Sequence, residues 1–176
     1  MKKLLATIAL VLSTSTGISI KETTAPSAVV GTYDSRAIAI AFIRSEKMSE
    51  YLQKQMADFG TLRQRAVDQG DHDLVKSLDE IGPAMQRKFH EQGFSGASID
   101  DILATIESRL PAIAKEAGVD LILSRWEIDY RSSSAQALDL TELIAAEFKP
   151  NEATLKAMRE IMKTEIVPAN QLKSDD

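Results

Sequence analysis

Two histidines, a few carboxylates beside extended segments and one arginine are the residues of this chain whose types could support chemistry. His72 lies between Asp71 and Asp73, and His90 precedes Glu91. Imidazole beside carboxylate is metal-ligand chemistry, but the two histidines stand far apart, with no partner at the i, i+4 spacing of a helical site. A solvated turn and a solvated helix face are the favoured reading of both. Asp34 and Arg36 follow an apolar extended stretch, a position where α/β folds place catalytic groups. Helix capping by Asp34 and an ion pair from Arg36 are the alternative. Glu127 and Asp129 alternate with Trp126, Ile128 and Tyr130. Paired carboxylates can run acid–base hydrolysis, yet the exposed face of a strand produces the same spacing. Gly93-Phe94-Ser95-Gly96 lacks the Gly-x-Ser-x-Gly spacing of a nucleophile elbow. The absence of cysteine excludes disulfides, thiol nucleophiles and thiolate metal sites. The chain is therefore read as a non-enzyme, with no catalytic residue, cofactor or metal.

Apolar residues at helical spacing are the stronger signal. Met48, Leu52, Met56 and Phe59 recur on one stripe, and Met85 and Phe89 lie on a second. Methionine adapts its shape and is over-used on promiscuous binding surfaces. The stripe serves either as a seam between two helices or, where it is wider than the seam, as a surface for apolar clients.

These residues need elements to position them. A hydrophobic fraction of 44% with 27% charged residues places the chain of 176 residues among globular proteins, as one domain or one domain with an appendage. Aromatics make up only 5%, so the core is aliphatic and leans helical. A formal charge of −5 argues against nucleic acid as the main partner. The start, Met1-Lys2-Lys3 with an apolar run Leu4 to Leu12 and small residues to Gly17, has the form of a signal peptide over 1–17. It implies export, with no integral membrane segment after cleavage. Residues 18–27 read as a linker.

Ala28 to Tyr33 reads as a strand, with Asp34 or Ser35 as the cap of a following helix. From Arg36 to Ala66 the apolar residues recur at three and four, which predicts one long helix. The pattern breaks at Gln69-Gly70-Asp71 and resumes from Leu74 to Phe89, predicting a hairpin with its tip near Gly70. Gly82-Pro83 interrupts the second arm. Ser98 to Asp101 resembles a capping box, Pro111 predicts a kink, and Gly118 suits a left-handed helix end. Val119 to Ser124 and Trp126 to Tyr130 predict two strands in a hairpin, and Leu138 to Phe148 a helix. After Pro150, Asn151 should cap a last helix reaching about Glu165. The expected fold class is α+β: a three-stranded sheet body with an antiparallel helical hairpin inserted between strands 1 and 2. Residues 28–35 and 119–148 form the body, 36–118 the arm, and 149–176 an additional helix and tail.

Three segments carry a resemblance. Val29-Val30-Gly31-Thr32-Tyr33-Asp34-Ser35-Arg36 resembles the first strand, and the step into the arm, of the Skp/OmpH family of exported chaperones. Ala117 to Ser124 is similar to that family's return into its second strand. Asp129-Tyr130-Arg131 and Leu138-Asp139-Leu140-Thr141 are similar to its tyrosine-containing strand and the approach to its closing helix. The resemblance implies a periplasmic homotrimer with coiled-coil prongs that holds unfolded outer-membrane proteins without ATP. The apolar stripe then offers Met48, Leu52, Met56, Phe59, Met85 and Phe89 as candidate client contacts. One departure is charge: between Arg44 and Ala97 eight basic side chains face nine acidic ones, so the arm is nearly neutral. The alternative is a structural or adaptor oligomer of the envelope that docks one defined partner.

Overall fold

Val30–Tyr33 is β1, the middle strand of a small sheet in the computed structural model, which describes residues 28–133 and 135–172. The expected signal peptide and linker, residues 1–27, lie outside them. Leu121–Ser124 (β2) and Ala137–Asp139 (β3) flank β1 in the order β2-β1-β3, and both pairings are parallel. The register sets Gly31 beside Ile122 and Leu138, and Thr32 beside Leu123 and Asp139. The mixed helix-and-sheet class is as expected; the hairpin of strands is not. Trp126 to Tyr130 forms no strand, and Ile128 lies outside the sheet. The Ser124 hydroxyl accepts from the Trp126 N–H, and the Glu127 carboxylate accepts from the Ser124 N–H. This reciprocal cap winds residues 125–127 into a 3-10 turn. The chain then passes from β2 to β3, which lies on the opposite side of β1.

Ser35–Ile43 (α1) follows β1 and is buried nearly all round, from Ser35 to Phe42. Its sequence explains this, since Ala and Ile occupy every face. Asp34 is its cap, accepting from the Arg36 N–H at 3.0 Å. The expected continuous helix from Arg36 to Ala66 is broken at Ser45, whose hydroxyl accepts from the Phe42-proximal end of the next helix, at Met48 N–H. That helix, Glu46–Gln69 (α2), spans about 36 Å at 1.5 Å per residue. Gly70 ends it at the expected break, in the left-handed region (φ 69°), and His72–Asp79 (α3) folds back on it. The break foreseen at Gly82-Pro83 falls at Glu80. Ile81–Phe94 (α4) starts there, with Pro83 in its first turn, where a missing N–H leaves no helix bond unmade. α4 packs on α1 rather than along α2, so the hairpin is closed at its tip and open at its root.

Asp100–Ala104 (α5) begins two residues after the expected cap; Ser98 accepts from the Asp100 N–H but does not start a capping box. Pro111 sits in the first turn of a new helix, Leu110–Ala117 (α6), instead of kinking a longer one. Gly118 closes it at φ 68°. The helix expected over Leu138 to Phe148 opens with β3 and becomes helical only at Thr141–Ala145 (α7). Asn151 caps Glu152–Ile161 (α8), which stops short of Glu165. α4, α7 and α8 enclose α1. The core that results includes Ile38, Phe42, Ile102, Ile144 and Met158, each contributing roughly 1.5–3 kcal/mol by leaving water. Gly31 meets Leu140 and Val119 on this side of the sheet. On the other side Leu121 remains 46% exposed.

Candidate functional site

The open root of the hairpin forms an apolar groove of about 520 Å³, within the usual range of ligand pockets. The last turn of α1 supplies Ile40, Ile43 and Arg44. The first half of α2 supplies Met48, Leu52 and Met56, one above the other at i, i+4 and i+8. α4 forms the opposite wall with Gly82, Met85, Gln86, Phe89, His90, Gly93 and Phe94. Five of the six residues expected to contact clients thus line one surface. Phe59, one turn further along α2, does not.

The groove exists because of local choices. The Ser45 break lets α2 leave α1 at an angle, and the Glu80 break turns α4 away from α2. Tyr51 packs edge-on against Phe42 (5.8 Å between centroids) and Phe89 (6.5 Å), which fixes Phe89 at the bottom of the wall. Phe148 supports Phe42 from below at 5.6 Å. A Cβ added at Gly82 or Gly93 would meet nothing within 4 Å, so both glycines leave groove volume bare of side chain. Met56 is 56% exposed and Phe94 44%. Arg44 and His90 are the only titratable side chains in the lining, and no acid lines it.

The other sequence candidates are not brought into one site. His72 starts α3 at the hairpin tip, whereas His90 packs edge-on against Phe94 at the root (6.3 Å). Among the described residues no group of His, Cys, Asp and Glu could hold a metal ion. Glu127 is used in the cap at Ser124, and Asp129 lies in the loop that follows, so they do not form a pair on a sheet face.

Asp34 and Arg36 form the ion pair expected of them, but a wholly buried one. Arg36 Nε donates to Asp34 Oδ1 (3.1 Å) and Nη2 to Oδ2 (2.9 Å). Its remaining N–H groups donate to the Thr164 carbonyl (3.2 Å), the Glu165 carbonyl (3.1 Å) and the Thr164 hydroxyl (3.4 Å). Trp126 covers the guanidinium at 4.8 Å. All its nitrogens are occupied, which is the condition for a buried charge to be tolerated. The pair ties the sheet edge to the chain after α8, and Val167 N–H to the Phe94 carbonyl (3.0 Å) makes a second tie. Neighbouring Tyr33 is pushed up to about 12 by burial, and further by the charges of Glu127 and Asp100.

Among the described residues no helix is long and apolar enough to cross a membrane. No family model, no curated protein and no solved structure matches the chain.

Proposed function

We propose that this chain is an exported holdase of the Skp/OmpH kind, which shields apolar segments of unfolded outer-membrane or envelope proteins in the periplasm without ATP. The observation that carries the reading is the convergence of Met48, Leu52, Met56, Met85 and Phe89 on one open groove. Met48 is buried at the root and Leu52 and Phe89 pack partly against the core, while Met56 is left 56% exposed, so the stripe is wider than the contact between the helices covers. Unbranched methionines on both walls let the groove adapt to different sequences. Apolar burial, not charge, supplies the affinity, consistent with a nearly neutral arm.

The reading includes self-association, with a homotrimer as the proposed state. Parallel sheets normally have both faces covered, and among the described residues no helix buries the face carrying Val30 and Leu121. Leu121→Asp would therefore dissociate the assembly, whereas Ile122 packs toward the core and its substitution would also unfold the body. Light scattering of the Leu121→Asp variant reads this out; an unchanged oligomer mass contradicts it.

The functional test is suppression of aggregation of several unfolded outer-membrane proteins at stoichiometric ratio. The wild-type chain should suppress it, and Gly93→Leu, which fills the groove with a side chain the helix accepts, should not. Equal suppression by both removes the groove from the reading. A second reading, an adaptor that docks one partner, is favoured by the confinement of the lining to one groove of bounded volume. Failure with every unfolded client and recovery of a single stoichiometric partner would support it instead.

A further inference from the structure

A second cavity, of about 350 Å³, lies at the carboxyl ends of β1 and β3, remote from the groove. Thr32, Asp34, Arg125, Ile128, Arg131 and Asp139 are among its walls. In open parallel sheets this is the edge where ligands bind, because strands end there and the crossing loops supply side chains. Here residues 125–136 supply two arginines. Arg125 shares its one carboxylate partner with Arg36, and Arg131 has none among the described residues. Arg125 comes no closer than 3.7 Å to Asp34 Oδ2, and that oxygen already accepts from Arg36 at 2.9 Å. Arg131 is exposed and forms no ion pair among the described residues. Asp139 Oδ1 accepts from the Thr141 N–H at 2.9 Å, capping α7. Once Arg36 has neutralised Asp34, the lining holds two guanidiniums against one carboxylate.

We infer that this cavity binds a small oxyanion, a carboxylate or a phosphate ester, held between Arg125 and Arg131. Guanidinium forks match such groups in two-pronged geometry. Arg125 is held in place by stacking on Trp126 at 5.1 Å, so part of its ordering is complete before binding. Ile128 and Ala137 offer an apolar wall for a short carbon skeleton. The site is independent of the groove, and its ligand is not an unfolded chain.

The test is a titration of the full chain with sodium succinate and, separately, with inorganic phosphate at constant ionic strength. It is followed by the Nε–H signals of the arginines in NMR spectra. Saturable shifts of Arg125 and Arg131, with a Kd near or below roughly 1 mM, are expected. Arg131→Gln, which removes no contact of the fold, should weaken binding by about tenfold or more, the loss of a charge-assisted bond. Arg159→Gln, at a surface pair elsewhere, should leave it unchanged. Saturation by succinate alone assigns a carboxylate ligand, by phosphate alone a phosphate ester, and by both the shared chemistry. Linear shifts with both probes, or equal affinity in Arg131→Gln, overturn the inference.

Discussion

Arg36 and Arg63 each grip a carboxylate with two nitrogen–oxygen contacts, yet they belong to two regions held together in different ways. Arg36 is wholly buried, surrounded by Asp34, Trp126 and the carbonyls of Thr164 and Glu165. Arg63 bridges α2 and α3 to Asp79 in open water, with both side chains about half exposed. The body is a closed unit in which α1 is enclosed and the Asp34–Arg36 pair is held inside. The arm has almost no interior: of α2, only Met48 at the root and Ala66 near the tip are buried. The contrast explains where the groove sits. It forms at the junction, where a rigid body can hold apolar side chains apart while the arm leaves them open to solvent.

Breaking the buried pair tests the contrast most severely. Arg36→Ala leaves buried Asp34 with only the longer contact to Arg125 (3.7 Å) and releases the segment after α8; thermal or urea unfolding should show a loss of about 3–5 kcal/mol. Next comes Gly31→Ala. A Cβ there runs into the side chain of Leu140, and the overpacking should cost about 1–3 kcal/mol, read from the urea midpoint.

Tyr33 supplies a pH test of the same body. Its hydroxyl stays protonated to about pH 12 when folded, against about 10 when unfolded. Stability from this group is thus complete below pH 10 and is lost as pH rises toward 12, by up to about 2.7 kcal/mol. The urea midpoint of wild type should fall relative to that of Tyr33→Phe as pH rises through that window, because the variant has no phenol to ionise. The smallest effect is expected in the arm. Hydrogen bonding to Arg63 holds the Asp79 carboxyl below its ordinary range, but solvent screens the pair. Arg63→Ala should leave the melting midpoint unchanged; a fall approaching that of Arg36→Ala would erase the distinction between the regions.

The parts that could be read from sequence were those set by local chemistry. β1, the Asp34 cap, the break at Gly70, the left-handed Gly118 and the Asn151 cap each depend on residues within a turn of one another. So did the groove residues, because Met48, Leu52 and Met56 share a face in any helix. What was missed depended on competing local signals or on distant partners. Ser45 is a capping residue in the one long step of the apolar series, Phe42 to Met48, which the regular steps on either side outweighed. Ser124-Arg125-Trp126-Glu127 has the spacing of a capping box, but the alternation through Tyr130 suggested a strand. β3 has little strand propensity of its own and is extended because β1 supplies its hydrogen bonds. The depth of Arg36 was invisible, since its carbonyl partners lie at Thr164 and Glu165.

The most direct test of the groove is contact mapping with a photoreactive residue. Met85→p-benzoylphenylalanine places a crosslinker in the groove wall, and Lys156→p-benzoylphenylalanine places one on α8, away from it. Irradiated with an unfolded outer-membrane protein, the first variant should give a client adduct and the second none. Equal yields from both positions, or adducts from Lys156 alone, would contradict the groove as the client site.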